Sequence, residues 1–401
     1  MTFNLRQSSC ICLIFSAFVA VHAADFAWKS AGPGIETLSL TNSRPSPVLF
    51  TAVRIARADF EKKFNLVTTL ASNTVVGLEP LPAQIRGLPK ELGEPVAAIN
   101  GDFFVMVGAV KGDPRGLQIA HGELVSDASG PAAFWIDSKG QFHGEQVQSR
   151  LEISWPGLEA TAAGLNEPVG TNGMVLFTPR MGTVYRNRSA NNRGSVGTRT
   201  NWVMRGEGGR EWLLEKSGAG PWLPLKIGKH YEARAVESFD GFTNVPPGHL
   251  VLSLSSNAVA TLPAMTNGVI LKIAVRTDPD LTGIQEALGS GPMLVRDGER
   301  FEVTARMSDK PHPRSGIGWN DDFLILAVAD GRQPGISVGV TLPEFADFMI
   351  DLGCQEAIDM DGGQSTTLML NDAVINHPAD GRPRDVANGV VVLRKPVASK
   401  K

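Results

Sequence analysis

The chain has 401 residues, with 38 Lys and Arg against 41 Asp and Glu, which gives a formal net charge of -3. This balance lacks the basic excess of nucleic-acid-binding proteins, so we predict no nucleic-acid partner. The 43 Gly and 26 Pro residues indicate frequent turns and favour many short strands over long helices. We predict an α+β fold with a mixed, mostly antiparallel β-sheet core and a few flanking helices, in a single large domain.

The N-terminal segment has the pattern of a signal peptide. Arg6 precedes a short apolar run at residues 11–21, and Val21-His22-Ala23 resembles a cleavage site. We therefore predict a signal peptide at residues 1–23 and a secreted or periplasmic protein. The apolar run is too short for stable membrane insertion. The predicted domain covers residues 24–396, is richest in motifs over 96–393, and is followed by a basic tail at 397–401.

Apolar and alternating runs predict strands in the first part of the chain. Val48–Ala56 and Lys63–Thr69 alternate in the manner of a hairpin. Val96–Ile99 is a continuous apolar strand that ends at the polar Asn100-Gly101-Asp102. Further short strands are predicted between about residues 146 and 275, and Thr282–Leu288 favours a short helix.

The C-terminal part combines a capped helix with a polar strand end. Thr341 and Glu344 form a capping-box pattern, and the helix that they begin is predicted to end at Gly353. A short strand follows, in which period-2 alternation places Asp359 and Asp361 on one face. Cys354, which would be the one cysteine left after cleavage at residue 23, is predicted to be buried.

Polar clusters end or begin several of the predicted strands. Each cluster alone is compatible with ordinary turn chemistry. Together they supply carboxylates, guanidinium groups and exposed backbone amides, which is the set expected for binding an anion. The clusters are Asn100-Gly101-Asp102, Arg314-Ser315, Asp330-Gly331-Arg332, residues 359–367, and residues 382–388.

The order of these motifs resembles that of the phosphodiester glycosidase family. The ordered set is Asn100-Gly101-Asp102-Phe103-Phe104, Gly289-x-Gly291-Pro292, His312-Pro313-Arg314-Ser315, Asp330-Gly331-Arg332, Asp361-Gly362-Gly363-x-Ser365-Thr366-Thr367 and Arg384-x-Val386-Ala387-Asn388. The resemblance implies hydrolysis of a sugar-1-phosphodiester at its anomeric carbon. By motif, it assigns the site to Asn100, Gly101, Asp102, Arg314, Asp330, Arg332, Asp361, Gly362, Gly363, Ser365, Thr366, Arg384 and Asn388, with Asp359 beside them.

The chemistry of the leaving group is consistent with this assignment. Ordinary glycosidases use a carboxyl pair because an alkoxide leaves poorly without protonation. A phosphate monoester leaves readily, so one carboxylate and several arginines could suffice. We expect Asp361 to act as base or nucleophile, with Asp359 as its partner or alternative. Arg314 and Arg384 would hold the phosphate, and Ser365 and Thr366 would donate hydrogen bonds to substrate oxygens.

Two other interpretations remain open from the sequence. Asp102, Asp330, Asp359 and Asp361 could bind a hard cation, Ca²⁺ or Mg²⁺, in a metal-dependent hydrolase, although no acidic loop with ion-binding spacing is present. Alternatively, the same fold could serve a non-catalytic polysaccharide-binding or exopolysaccharide assembly protein. We predict no other cofactor.

Overall fold

The computed structural model describes residues 26–42, 46–58, 60–108, 110–169, 173–182, 209–239, 245–302 and 310–396. The predicted signal peptide at residues 1–23 and the predicted basic tail at residues 397–401 lie outside these ranges. Strands dominate the described residues, and short helices flank them. The predicted α+β class, with a mostly antiparallel sheet core, is therefore confirmed.

The strands within these ranges are numbered in chain order. They are β1 (Lys29–Gly32), β2 (Ile35–Asn42), β3 (Val48–Ala56), β4 (Phe64–Leu70), β5 (Glu79–Pro80), β6 (Glu94–Asn100), β7 (Gln118–Ala120), β8 (Glu123–Ser126), β9 (Ala132–Ile136), β10 (Phe142–Glu145), β11 (Gln148–Trp155), β12 (Leu158–Leu165), β13 (Met174–Phe177), β14 (Arg210–Lys216), β15 (His230–Phe239), β16 (Leu250–Leu254), β17 (Ile270–Asp278), β18 (Ala287–Ser290), β19 (Met293–Arg296), β20 (Glu299–Arg300), β21 (Arg314–Trp319), β22 (Phe323–Ala329), β23 (Glu356–Met360), β24 (Leu368–Leu370), β25 (Ala373–Val374), β26 (Asp385–Val386) and β27 (Asn388–Arg394).

Helices are few and short in the same part of the chain. The α-helices are α1 (Phe60–Lys63), α2 (Leu81–Arg86), α3 (Ser256–Thr261) and α4 (Leu342–Asp351), and single 3-10 turns occur at Ala71–Asn73, Lys90–Leu92, Pro179–Met181 and Gly363–Ser365. Helix α4 begins with the predicted capping box, in which Thr341 and Glu344 bond each other's backbone N–H. None of the described helices is long and apolar enough to cross a membrane.

Two sheets pack face to face around the core that supports the candidate site. The first has eight strands in the order β1-β2-β3-β22-β21-β23-β19-β20, and the second has five in the order β25-β24-β6-β27-β4. Their facing residues form one apolar cluster, which includes Ile358 and Met360 of β23 and Ile99 of β6. Helix α4 packs on the opposite face of the first sheet through Phe345 and Met349. Strand β23 therefore alternates between two buried layers.

Two local predictions are wrong, for different reasons. Strands β3 and β4 do not form a hairpin: β3 pairs with β2 and β22, whereas β4 pairs with β27 in the other sheet. Val53 and Leu66 instead belong to the same core cluster, so the two strands contribute to it from opposite sheets. The predicted helix at Thr282–Leu288 is also absent, because Gly283 has φ +89° and Ala287–Ser290 forms strand β18.

A closed seven-stranded barrel is inserted in the chain between β10 and β18. Its strand order is β11-β12-β13-β16-β14-β15-β17, and the one parallel pair among the described strands is β12 with β13. Its apolar cluster includes Ile153, Trp212 and Leu271. Strands β10 and β18 both pair with β9 in a second five-stranded sheet, β10-β9-β18-β7-β8. The chain therefore leaves that sheet and returns to it, and the insertion does not interrupt the two sheets beneath the site.

Candidate active site

Five strand ends meet at one edge of the two packed sheets and carry most of the predicted site residues. Arg314 begins β21 opposite Ala329, and Ser315 lies opposite Met360, which ends β23. In the second sheet, Asn100 at the end of β6 pairs with Gly389 near the start of β27. These registers place the polar residues that continue each strand next to one another. The set at this edge is Asn100, Arg314, Asp330, Asp361 and Asn388.

Asn100 connects the two sheets through its side-chain amide. Its Nδ2 donates a 2.6 Å hydrogen bond to the backbone oxygen of Asp361. Its Oδ1 accepts from the Ser315 hydroxyl at 2.8 Å and from the Thr367 amide at 3.0 Å. The residue is fully buried. All three bonds fix groups of the candidate site, so Asn100 acts by positioning the site from within the protein.

Asp361 is the more accessible of the two aspartates near the end of β23. It follows the last strand residue, its backbone N–H donates to Gly101 O at 2.9 Å, and its side chain is partly exposed. Asp359 is only 2% exposed, and its Oδ1 has no hydrogen-bond partner. A Cβ added to Gly291 would lie 2.7 Å from Asp359 Oδ2, so only glycine leaves room for this carboxyl group.

Three neighbouring carboxyl groups have raised pKa values. Burial raises the pKa of Asp359 to about 8, and Arg314 opposes the rise. Burial raises the pKa of Asp102 to about 7, against hydrogen bonds from the Gly116 and Phe103 amides. Burial also raises the pKa of Asp361, to about 6, and this rise is opposed by the Ser365 hydroxyl, Arg384 and Arg115. At neutral pH, Asp361 is therefore the carboxyl group of the three that ionises most readily.

The three predicted arginines lie at the site and differ in the contacts that hold their guanidinium groups. Arg314 donates from Nε to Val340 O at 3.2 Å, while its buried Nη2 has no partner. The guanidinium of Arg332 lies beside Gly363 and 3.3 Å from His312 Nδ1. Arg384 lies over the Phe104 ring at 5.3 Å from its centroid. The charge of Arg314 lowers the pKa of Asp359 and that of Arg384 lowers the pKa of Asp361, while Arg332 lies at the turn that follows.

The turn after Asp361 presents a set of unpaired hydroxyl groups. The Gly363 amide donates to Pro313 O at 2.9 Å, and a Cβ on Gly362 would lie 2.6 Å from that same oxygen, so the turn is held close to the start of β21. Buried polar atoms are nearly always paired in folded proteins. At this edge of the sheets, the Ser365 hydroxyl faces Asp361. Four other buried atoms are unpaired: Arg314 Nη2, Asp359 Oδ1, and the hydroxyls of Thr366 and Thr367. Such a concentration indicates groups that a ligand would pair.

Other predicted site residues are already engaged within the protein. Asp330 accepts from Asn376 Nδ2 and from the His377 amide, both at 2.9 Å. Asn388 accepts from the Asp102 amide at 2.8 Å and donates to Gln118 at 2.8 Å. The Asp102 carboxylate accepts from the Phe103 and Gly116 amides, each at 2.7 Å. The geometry gives these three residues the task of holding the loops around Asp361.

Arg115 is a site residue that the motifs do not identify. It lies in the loop between β6 and β7, is exposed, and its charge lowers the pKa of both Asp102 and Asp361. Its backbone is anchored by a 2.8 Å hydrogen bond to Phe103 O. Asp-Pro-Arg in a loop carries no local signal of this proximity. Only the fold, which returns residues 113–116 to the Asp102 carboxylate, brings Arg115 to the site.

The described residues contain no group of three or more His, Cys, Asp or Glu side chains arranged to hold a metal ion. Of the four aspartates considered as cation ligands, Asp330 has both carboxylate oxygens engaged by hydrogen bonds. Both carboxylate oxygens of Asp102 also accept hydrogen bonds.

The predicted burial of Cys354 is confirmed, since it is 1% exposed and burial raises the pKa of its thiol.

Comparison with known proteins shows which family part of this chain resembles. Residues 234–393 match the model of the phosphodiester glycosidase family. This match confirms the family resemblance over the part of the chain that carries Arg314, Asp359, Asp361 and Arg384.

Individual relatives are distant. A curated SPbeta prophage-derived uncharacterized protein of Bacillus subtilis strain 168 is 29% identical over 116 residues, which cover 27% of this chain and 18% of that protein. A hypothetical protein from Synechocystis has a TM-score of 0.65 and 19% identity, over 90% of this chain and 62% of that one. The chain thus spans less than two thirds of the length of either protein. A Burkholderia pseudomallei K96243 protein described as exported has a TM-score of 0.63 and 19% identity, over 86% of this chain and 74% of that one. The Synechocystis and Burkholderia proteins share the fold of this chain.

The catalytic domain of zebrafish N-acetylglucosamine-1-phosphodiester alpha-N-acetylglucosaminidase also matches. It is 14% identical with a TM-score of 0.45, over 92% of this chain and 86% of that one. This likeness is too low to support a conclusion about the present chain.

Replacement of Asn100 should destabilise the protein. Asn100→Ala removes the partner of Ser315 Oγ, Thr367 N and Asp361 O, each of which is buried in or beside the core. Leaving buried groups unpaired costs about 1–3 kcal/mol for each group. We expect a loss of at least about 2 kcal/mol in the free energy of unfolding, measured by urea denaturation. Lys272→Ala, at an exposed position of the barrel, is the control, and equal stability of the two variants would contradict the role of Asn100.

The raised carboxyl pKa values should make the protein less stable as pH rises. The folded state binds protons at Asp102, Asp359 and Asp361 more tightly than the unfolded chain. This stabilisation is complete below the unfolded pKa and is lost as pH passes through about 6 to 8. We expect the free energy of unfolding to fall between about pH 5 and pH 8, and to fall less in Asp359→Asn. The exposed Asp321→Asn should retain the wild-type slope, and an unchanged slope in Asp359→Asn would refute the burial argument.

Proposed function

We propose that this protein is an exported phosphodiester glycosidase. It would hydrolyse the anomeric bond of a sugar-1-phosphodiester and release the free sugar and a phosphomonoester. The substrate class is an N-acetylglucosamine-1-phosphodiester or a related envelope or exopolysaccharide glycan, and the location is the periplasm or the exterior. The family match over residues 234–393 supports the reaction class. The observation that carries the proposal is the cluster of unpaired buried groups around two aspartates of different pKa.

The charges of the site suit a phosphodiester monoanion. Asp359, with a pKa of about 8, holds its proton at neutral pH, whereas Asp361, with a pKa of about 6, is largely ionised. The site therefore has more positive than negative charge, since three arginines face the one carboxylate of Asp361: Arg314, Arg332 and Arg384. Guanidinium groups bind phosphate oxygens through paired N–H donors, and Arg314 Nη2 is a buried donor with no internal partner. The arginines therefore supply the counter-charge that a departing phosphate requires.

Each remaining group has a role in the proposed reaction. The C1–O bond to the phosphate breaks, and a water oxygen becomes attached to C1. Asp361 either removes a proton from that water or attacks C1 first and is then released by water. The hydroxyls of Ser365 and Thr366 donate hydrogen bonds to sugar or phosphate oxygens. Burial keeps Asp359 neutral although Arg314 lowers its pKa, so no second carboxylate opposes the phosphate.

The bond that breaks gives a direct test of the proposal. Purified protein is incubated with a sugar-1-phosphodiester in oxygen-18 water, and both products are analysed by mass spectrometry. A glycosidase leaves the phosphomonoester unlabelled, whereas a metal-dependent phosphodiesterase places the label in it. The phosphomonoester is the deciding product, because C1 of a free sugar also exchanges its oxygen with water. Label in the phosphate together with loss of activity in chelator would favour the cation-dependent hydrolase. Binding without product would favour a polysaccharide-binding protein. Either outcome would overturn the proposal.

Replacement of the proposed catalytic carboxylate should abolish turnover while the protein remains folded. Asp361→Asn retains the shape of the side chain but removes the base or nucleophile. We expect a decrease in kcat of at least about a thousandfold, since loss of a catalytic group removes several kcal/mol of transition-state stabilisation. Gln364→Ala, at an exposed neighbouring position, is the matched control. An Asp361→Asn protein with a wild-type melting temperature and full activity would exclude this role.

The pH dependence of activity should report the charges around Asp361. Activity should rise as pH passes through about 6, where Asp361 ionises in the free protein. Arg384 and Arg115 both lower that pKa, so Arg384→Gln and Arg115→Gln should move the rising limb of kcat/KM to higher pH. Arg382→Gln, an exposed neighbour of Arg384, should leave the limb in place. The measurement is kcat/KM against pH, and a shift to lower pH in either variant would contradict the assignment.

A further inference from the structure

A chain of buried hydrogen bonds extends from the candidate site to His121, beside β4, the edge strand of the second sheet. Asn388 Nδ2 donates to Gln118 Oε1 at 2.8 Å, and Gln118 Nε2 donates to Thr68 Oγ1 at 2.9 Å. Thr68 Oγ1 lies 2.8 Å from Glu286 Oε2, and His121 Nδ1 lies 2.9 Å from Glu286 Oε1. We call Gln118, Thr68 and Glu286 the buried relay. All three side chains are nearly inaccessible to solvent.

Glu286 determines the direction of every hydrogen bond in the relay. Its carboxylate accepts from the Thr68 amide at 2.9 Å and from the His121 amide at 3.1 Å, in addition to the Thr68 hydroxyl and the imidazole. A carboxylate only accepts, so the Thr68 hydroxyl donates to it at 2.8 Å, a shorter contact than the 3.1 Å to Ile119 O, and accepts from Gln118. The Gln118 amide is thereby oriented with its oxygen towards Asn388. The Asn388 amide is oriented in turn, with its oxygen towards the Asp102 N–H at 2.8 Å.

The inner end of the relay holds the turn next to Asp361. The Gly101 amide donates to Asn388 O at 3.0 Å, and Gly101 O accepts from the Asp361 amide at 2.9 Å. A Cβ on Gly101 would lie 2.4 Å from Asn388 Oδ1, so the side chain of Asn388 and this turn are in direct contact. If Asn388 rotated its amide, its NH₂ would face the Asp102 N–H, and two donors would oppose each other. The turn would then move, and the backbone of Asp361 is bonded to it.

We propose that the buried relay consists of positioning residues for the candidate active site, which it keeps in register through Asn388 and the Gly101-Asp102 turn. This inference rests on the proposed function only for its kinetic readout. The outer end of the relay is the half-exposed His121, which lies beside a cavity of about 480 Å³. The relay residues reach Asp361 only through Asn388 and this turn, so their contribution to activity is indirect. Small displacements of a catalytic group reduce rates by up to about a hundredfold.

The neighbouring threonines of β4 provide a matched pair of variants. Thr68→Val removes the central hydroxyl of the relay with little change in shape. Thr69→Val removes an equally buried hydroxyl that donates instead to Gln84 Oε1 at 2.7 Å. Both variants lose a buried hydroxyl on the same strand. Thr68→Ser restores the relay hydroxyl and tests whether the hydroxyl itself is required.

The experiment compares kinetics, stability and amide exchange in these three variants. We expect Thr68→Val to lower kcat by about tenfold to a hundredfold with a small change in KM, because the site is displaced and not removed. Thr69→Val should retain wild-type kcat at a similar loss of melting temperature, and Thr68→Ser should recover most of the activity. Equal kcat in the two valine variants would overturn the proposal, because the effect would then be one of stability alone.

Amide hydrogen exchange separates failure of the relay from failure of the proposed function. Thr68→Val should accelerate exchange at the Asp102 and Asp361 amides, whereas Thr69→Val should not. This readout is independent of the substrate. If the wild-type protein turns over no sugar-1-phosphodiester, the proposed function fails, but the exchange rates still test the positioning role of the relay. Unchanged exchange at both amides in Thr68→Val would refute that positioning role.

Discussion

The hydrogen bonds of Asn100 are the constraint on which the candidate site depends. A single amide, buried where two sheets meet, holds the backbone of Asp361, the hydroxyl of Ser315 and the amide of Thr367. Hydrophobic burial brings the sheets together but is not directional. The amide supplies the direction, because its donor and acceptor must face opposite partners. The apolar core therefore sets the distance between the sheets, and Asn100 sets their register at the site.

Burial of carboxyl groups at this edge opposes ionisation and distributes charge unequally. Asp359, Asp102 and Asp361 have pKa values of about 8, 7 and 6, and Asp361 is the most accessible to solvent of the three. Separate pKa values for neighbouring groups are the usual basis of distinct acid and base roles. The molecule retains two buried carboxyl groups, the partly exposed Asp361 and four unpaired polar atoms at one place. Unpaired buried groups cost free energy, so a ligand that paired them would offset part of that cost.

Local features were predictable from the sequence, whereas non-local ones were not. The capping box of α4, the strand ending at Asn100 and the alternation around Asp359 depend on residues a few positions apart. The pairing of β4 with β27 joins residues more than 300 positions apart, so the apparent hairpin with β3 could not be excluded from the sequence. The closure of the barrel and the position of Arg115 also depend on residues that are far apart in the chain. Gly283, by contrast, was a visible helix breaker within the predicted helix.

The two glycines of Gly289-Ser290-Gly291 have a consequence for how this protein can diverge. The Asp102 and Asp359 carboxyl groups fill the space that side chains at these positions would need. A Cβ at position 289 would lie 2.6 Å from Asp102 Oδ2, and one at position 291 would lie 2.7 Å from Asp359 Oδ2. Any larger residue at position 289 requires a change at position 102 and a shift of the Gly116 backbone, which is equally close, and a larger residue at 291 requires a change at position 359. Each glycine and its aspartate therefore form one inherited unit. A lineage that keeps the carboxyl groups must keep the glycines, and a lineage that loses the glycines has abandoned this arrangement of the site.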